Sequence, residues 1–187
     1  MQVAKKNAVG GVWHLFLLLV LLSFLGWAYE TAFVYLTLGR YSDRGFLSLP
    51  FCPIYGSCLT GIYLLFGTPD EGRGFLKKVN DPVKRRLLYL LFALLLPTGL
   101  ELFIGLFFER YFHRKLWNYS KYPYQFKGYI CLPVSLSWTV LIFLFMKLLF
   151  PFLKRLVDKC PKGLAVVLSI AFAILWVGDF ITTAFVK

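Results

Sequence analysis

The chain has 187 residues, of which 59% are hydrophobic and 16% are charged. An average soluble domain carries about 25% charged residues, so this composition excludes an ordinary soluble globular protein. With 15 glycines, nine prolines and 19% aromatic residues, the chain also does not have the composition of collagen, a low-complexity tract or a disordered segment. The composition therefore predicts an integral membrane protein with several spans.

The formal net charge of +12 raises the question of a nucleic-acid partner. The basic residues, however, lie in short connections between apolar runs and not along one amphipathic face. Positively charged loops beside a membrane and contacts with anionic lipid head groups explain this distribution better. We expect the lipid bilayer as a partner and no nucleic acid.

Apolar runs in chain order predict five transmembrane helices in one all-α bundle. A helix needs about 20 apolar residues to cross the hydrocarbon layer of roughly 30 Å. The first run follows Lys5 and Lys6, as a signal peptide would, but it is too long and lacks an A-x-A cleavage site, so we expect it to be retained. No internal repeat is evident, and residues 1–187 are interpreted as a single domain. The predicted spans are 12–38, 51–67, 87–108, 128–150 and 164–186.

Five spans place the two termini on opposite sides of the membrane. With the N-terminus in the cytoplasm, the inner segments hold twelve basic residues and the outer segments hold eight. Because basic residues concentrate in cytoplasmic loops, this bias favours a cytoplasmic N-terminus in a multi-pass plasma membrane protein.

Three acidic residues, Glu30, Glu101 and Asp179, lie within predicted spans. A charge at this depth costs at least about 2.5–3.5 kcal/mol, so such residues usually face a polar interior. Each acid lies seven or eight residues before the end of a span that runs in the same direction, which predicts a shared depth of roughly 10–12 Å. A cation, proton or amine site built from several helices needs this arrangement, and we predict one hydrated polar site with Glu30 and Glu101 as its core. The alternative is that each acid lies nearer the interface, capped by water or by a loop arginine such as Arg40 or Arg44.

Pro97 and Gly99 lie one turn before Glu101 in the third predicted span. Proline removes a backbone donor, so the helix is expected to kink or unwind there and Glu101 would line a cavity. The alternative is an ordinary membrane-helix proline without a binding role.

The connection after the first span contains residues that restrict its backbone. Gly45 permits a sharp turn, while Pro50 and Pro53 restrict the entry to the second span. Arg44 is placed to fold back over the membrane face beneath which Glu30 lies.

Six short motifs follow one another between Gly26 and Trp138, over about 60% of the chain. They read Gly26-Trp-x-x-Glu30, Arg44-Gly-Phe-Leu, Cys52-Pro-Ile-Tyr-Gly56, Glu101-Leu-x-x-Gly105, Leu116-Trp-x-Tyr-Ser120 and Gly128-x-Ile-Cys-Leu132. In this order they resemble the bacterial Putative ABC-transporter permease family, type IV, also called the CmpB-like family. Two positions differ from the family pattern, because Asp43 stands where the family has Asn and Asn118 where it has Asp.

The resemblance implies a permease-like transporter component in a bacterial plasma (inner) membrane. Carried over to this sequence, it adds Arg44 and several aromatic and hydroxyl residues to the acids as candidates for a substrate or ion site. Trp117 and Tyr119 would equally suit an interfacial aromatic belt. Asp179 lies outside the motifs and is included as an acid within a span. The candidate residues are Glu30, Arg44, Tyr55, Glu101, Trp117, Tyr119, Ser120 and Asp179.

The sequence contains no phosphate-binding loop. Gly67 and Gly72 have the required spacing, but Arg73 and Gly74 stand where a Lys followed by Ser or Thr is needed. ATP hydrolysis would therefore belong to a separate subunit, and 68–86 is the only cytoplasmic connection large enough to dock it. A homo-oligomer is a further possibility.

Other chemistry remains as an alternative. The four cysteines and two histidines lack metal-site spacing, and we expect no metal and no cofactor. Cys52 and Cys131 could form an external disulfide, or all four cysteines could be free thiols in apolar surroundings.

An intramembrane enzyme for acyl or phosphoryl transfer to lipids is an alternative function, and it would use Glu30 or Glu101 as base and Arg44 as phosphate ligand. An accessory structural protein is the third interpretation.

Overall fold

The structure, a computed structural model, describes residues 3–42 and 45–185, with the backbone alone for residues 3–10 and 38. Within these residues the chain forms six α-helices, one short β-hairpin and a 3₁₀ helix at Gly74–Lys78. The predicted all-α membrane class is confirmed. The elements are α1 (Val3–Leu38), α2 (Pro53–Phe66), α3 (Pro82–Phe112), β1 (Gln125–Phe126), β2 (Ile130–Cys131), α4 (Leu132–Leu148), α5 (Phe150–Asp158) and α6 (Lys162–Phe185).

The helices differ in whether they are long enough to cross a membrane. Among the described residues, α1, α3 and α6 meet the requirement, and α4 with α5 adds a fourth span if this pair, bent by 48°, is counted as one. Helix α2 has only 14 residues, about 21 Å at the α-helical rise, which is shorter than the hydrocarbon layer. Pro53 begins it and Gly67, with a φ of +77°, follows its end. The helix in the predicted second span is therefore shorter than the apolar run 51–67 from which the span was predicted.

Helix α3 is longer than the predicted third span. Asp81 caps its start, since the Asp81 carboxylate accepts a hydrogen bond of 2.8 Å from the amide of Val83. His113, in the left-handed conformation, follows its last residue. The helix runs without interruption through Pro97. Of the two predicted outcomes at Pro97, unwinding is therefore wrong, and a kink stays a prediction.

The chain divides into two compact units, the first being the described part of Met1–Thr60 with Phe152–Lys187. In this unit α1 packs against α6. The hydroxyl of Ser169 donates to the backbone carbonyl of Trp13 at 3.2 Å, and the ring of Phe16 lies 6.1 Å from that of Trp176. The small Ser169 side chain thus lets α6 approach the α1 backbone closely.

The second unit is Gly61–Pro151, in which α3 packs against α4. Tyr89 is almost fully buried, its ring lies 6.1 Å from that of Phe143, and its hydroxyl donates to the carbonyl of Gly67 at 3.3 Å. Phe66 stacks on Phe92 with 4.2 Å between ring centroids. The end of α2 is therefore fixed against the start of α3.

The connection 68–86 is a folded segment in the second unit. Gly67 and Gly72 face each other across an antiparallel bridge, and the amide of Arg73 donates to the carbonyl of Phe66 at 2.8 Å. Leu76 is completely buried. The two glycines with phosphate-loop spacing therefore close a turn.

Candidate functional site

In the first unit, Tyr55 of α2 connects two residues of α1. Its ring fills the space that a side chain on Gly26 would need, and its hydroxyl donates a hydrogen bond of 2.9 Å to Glu30. Gly26 and Glu30 are four residues apart and so lie on the same face of α1. Two motifs far apart in the sequence, Gly26-Trp-x-x-Glu30 and Cys52-Pro-Ile-Tyr-Gly56, thus form one contact.

The start of α2 is held on the same face of α1. Gly56 lies against the side chain of Ser23, so that a methyl group on Gly56 would collide with it. The amide of Cys52 donates to the carbonyl of Ser23 at 3.0 Å, and the Cys52 side chain is buried. These contacts fix the position from which the Tyr55 ring reaches Glu30.

Asp179 of α6 binds the connection between α1 and α2. Its two carboxylate oxygens accept hydrogen bonds from successive backbone amides, those of Ser48 at 3.3 Å and Leu49 at 2.9 Å. The hydroxyls of Ser48 and Thr183 add a hydrogen bond of 3.1 Å. Backbone amides of the connection therefore donate hydrogen bonds to the Asp179 carboxylate. The sequence had suggested water or a loop arginine as the alternative partner of this acid.

Arg44 lies outside the described residues, as does Asp43. Its predicted position over the membrane face above Glu30 stays a prediction. The single polar site that Glu30 and Glu101 are predicted to share also stays a prediction, since the two acids belong to different units.

In the second unit, Glu101, Gly105 and Glu109 recur every four residues along one face of α3. The hydroxyl of Tyr119 donates a hydrogen bond of 3.1 Å to Glu101. The ring of Tyr129 fills the space beside Gly105, and its hydroxyl donates to Glu109. Both tyrosines come from the connection between α3 and α4. This connection therefore folds back over the end of α3.

Trp117 and Tyr119 hold that connection against its own hairpin. The indole N–H of Trp117 donates to the carbonyl of Tyr129 at 2.7 Å, and the amide of Tyr119 donates to the carbonyl of Gly128 at 2.9 Å. Trp117 thus positions Tyr129, in addition to the interfacial role that its residue type suggests.

Ser120 has a local role in the same connection. The side-chain oxygen of Asn118 accepts hydrogen bonds from the amide of Ser120 at 2.9 Å and from its hydroxyl at 2.6 Å. A side chain on Gly128, which has a φ of +76°, would collide with the hydroxyl of Ser120 and with the side-chain oxygen of Asn118. Ser120 therefore stabilises a turn next to Gly128.

Glu109 is a site residue that the sequence analysis did not select. Besides the Tyr129 hydroxyl, it contacts the ammonium group of Lys115 at 3.4 Å. The hydrogen bond to Glu109 raises the pKa of the Tyr129 phenol above the ordinary value for tyrosine. The spacing of Gly105 to Glu109, identical to that of Gly26 to Glu30, was the signal that could have found it.

The arrangement of glycine, glutamate and tyrosine therefore occurs twice. In both units a tyrosine ring covers a helix glycine and its hydroxyl binds the glutamate four residues later. A buried cysteine precedes the following helix in each case. At a constant separation of 79 residues, the matching pairs are Gly26 and Gly105, Glu30 and Glu109, and Cys52 and Cys131.

The tyrosines themselves do not match in register. Tyr55 comes three residues after its cysteine, whereas Tyr129 comes two residues before its own. The two copies thus share the contacts of the tyrosine with glycine and glutamate, but not the position of the tyrosine in the sequence. All four cysteines are free thiols, as one of the two alternatives predicted.

The chain is similar to a known protein family. A sequence model of the family described as Putative ABC-transporter type IV matches residues 17–184, a range that contains both copies of the repeated arrangement. No curated protein and no solved structure matches the chain.

Proposed function

Since the chain belongs to the Putative ABC-transporter type IV family, we propose that it is the membrane-embedded permease component of an ATP-driven transporter. In this proposal a separate subunit hydrolyses ATP, because the segment from Gly67 to Gly72, which has phosphate-loop glycine spacing, closes a turn and is followed by Arg73 and Gly74 in place of Lys and Ser or Thr. The protein lies in a bacterial plasma membrane with its N-terminus in the cytoplasm.

The observation that carries this proposal is that two acids, Glu30 and Glu101, lie in helices long enough to span a membrane. Each of them accepts a hydrogen bond from a tyrosine hydroxyl. Ionisable groups at such depth are costly and mark substrate or ion pathways. The repeated arrangement in the two units also supports transport, because many transporter folds contain internal repeats.

Each acid in this pair has the chemistry to bind a cation or an amine. A carboxylate offers about four lone-pair sites, and the tyrosine hydroxyl occupies one of them. The half-buried positions of Glu30 and Glu101 strengthen electrostatic attraction relative to water. We therefore propose a substrate that carries a positive charge.

The connection 68–86 supplies the docking surface for the ATPase subunit in this proposal. Phe75, Lys77 and Lys78 are exposed on its 3₁₀ helix, while the buried Leu76 holds that helix in place. An exposed aromatic ring between cations suits an acidic partner surface with an apolar centre.

Co-purification with paired variants tests the partner. We expect ATP hydrolysis to purify with the tagged wild-type chain and to be lost in Lys77→Glu combined with Lys78→Glu. The matched control, Lys121→Glu with Lys127→Glu, changes two exposed lysines of the other long connection and should retain the ATPase. Equal loss in both double variants, or no ATPase with the wild type, contradicts the proposal.

The substrate site is tested by ligand-induced stabilisation. A panel of organic amines and metal cations is screened for an increase in the melting temperature of the purified protein. Glu30→Gln and Glu101→Gln should abolish the increase, whereas Glu71→Gln, an exposed acid of the connection 68–86, should keep it. Recovery of a chemically modified lipid from protein and lipid alone would instead identify a lipid-modifying enzyme.

A further inference from the structure

An open cleft of about 440 Å³ lies at the C-terminal end of α3. It is lined by Leu106, Glu109, Arg110, His113 and Tyr129. All five belong to the second unit, so the cleft is complete within it. None of its basic residues was among the site residues considered above.

The cleft has a positive charge, because Lys115 compensates the negative charge of Glu109 and Arg110 remains. Glu109 is already engaged by the hydroxyl of Tyr129 and by Lys115, whose ammonium group lies 3.4 Å away. Arg110 and His113 are exposed, and no ion pair or hydrogen bond to another described residue occupies their side chains. A guanidinium with five free donors at the mouth of a cleft is suited to an anion, above all to a phosphate.

The cleft also has an apolar part. Leu106 lies one turn before Arg110 and is 46% exposed, and Phe103, one turn further back, is 65% exposed. Helix α3 is long and apolar enough to span a membrane, and exposed apolar side chains on such a helix are suited to contact with lipid chains. A ligand held by Arg110 at the helix end would therefore have a hydrocarbon-compatible surface directly beside it.

From these features we propose that the cleft binds the head group of an anionic phospholipid. Arg110 and His113 contact the phosphate, and an acyl chain lies along Leu106. The lipid, and not free phosphate, is the occupant because the apolar surface continues from the cationic residues into the membrane-spanning part of α3. This inference goes beyond transport and does not depend on the proposed function.

Lipid binding to delipidated protein in detergent tests the proposal, with phosphatidylglycerol, phosphatidylcholine and inorganic phosphate as three separate probes. Native mass spectrometry should show preferential retention of phosphatidylglycerol by the wild type. Arg110→Gln should weaken that binding by about tenfold, the effect of losing one charge-assisted contact. His113→Gln should weaken it less. Lys127→Gln, an exposed cation on the same connection, should have little effect.

Three results would overturn the proposal. Unchanged phosphatidylglycerol retention in Arg110→Gln would show that the cleft is not the binding site. An equal loss of binding in Lys127→Gln would show that general surface charge, and not the cleft, retains the lipid. Binding of inorganic phosphate as tight as that of the lipid removes the role of Leu106. If Arg110→Gln does not fold, Arg110→Lys replaces it, and this variant should bind at an intermediate level because it keeps the charge without the planar fork.

Discussion

At Gly26 and Gly105, the lack of a side chain allows a tyrosine to reach a glutamate. In each case the aromatic ring occupies the position of the missing methyl group. The glycine and the glutamate four residues later therefore act as a unit, because the ring rests on the first and the hydroxyl binds the second. A change at the glycine is expected to disturb the glutamate.

Alanine at these glycines should lower stability. In Gly26→Ala and Gly105→Ala the new methyl group collides with the tyrosine ring, and overpacking of this kind costs about 1–3 kcal/mol. The matched control is Gly99→Ala in α3, where a methyl group meets no atom within 4 Å and improves helix propensity. Thermal unfolding in detergent should give a lower midpoint for the first two variants and an equal or higher one for the control. A midpoint for Gly105→Ala equal to that of Gly99→Ala would refute the ring contact.

Asn118 offers a second test with single residues. Its side-chain oxygen accepts two hydrogen bonds from Ser120, and a carboxylate would accept the same two. Asn118→Asp, the residue of the family pattern, should therefore keep wild-type stability. Asn118→Leu has no acceptor and should lose about 1 kcal/mol. Equal thermal midpoints for the Asp and Leu variants would argue against the turn.

At the scale of elements, the connections are held by side chains of helices distant in sequence. Asp179 of α6 binds the backbone at residues 48 and 49, and Tyr129 binds back to Glu109 of α3. Removing one of these contacts should make local opening of the connection more frequent. The buried thiol of Cys52 reports such opening in the first unit.

Asp179→Ala should expose Cys52. Loss of two hydrogen bonds to a carboxylate raises the population of the open connection by about tenfold, and alkylation of Cys52 should accelerate by the same factor. Thr182→Ala is the control, because the Thr182 hydroxyl donates to backbone carbonyls of its own helix. Peptide-level mass spectrometry separates Cys52 from the other cysteines. An unchanged alkylation rate in Asp179→Ala would show that Asp179 does not hold the connection.

The sequence predicted some of these elements because their determinants are local. Helices α1, α3 and α6 follow from long apolar runs, whereas the short α2 depends on where Pro53 and Gly67 stop the helix within a longer run. Likewise Glu30 and Tyr55 were both selected, but their contact spans 25 residues of chain and no local pattern reveals it. Glu109 was missed because an acid next to Arg110 at a helix end resembles ordinary interfacial charge.

At the scale of the whole molecule, the membrane topology depends on α2. Five spans require this helix of 14 residues to cross, although it covers only about 21 Å. A bilayer accommodates a short helix by local thinning, at a modest cost per ångström. That residues 1–187 form one transmembrane domain also stays a prediction.

Cysteines placed in the two long connections test the topology. In a chain whose own cysteines are replaced, Lys77→Cys should react with an impermeant maleimide only from the cytoplasmic side, and Lys121→Cys only from the outside. Both positions are exposed, so accessibility depends on the side of the membrane alone. Reaction of both from the same side would disprove an odd number of crossings between them.

The repeated contact of tyrosine, glycine and glutamate also bears on the history of the chain. A separation of 79 residues between matching positions is the length that one duplication of a gene segment would add. Two copies within one chain can differ from each other, which two identical chains cannot. Glu101 is such a difference, since the position 79 residues earlier is the apolar Leu22, so only α3 carries a second acid on its helix.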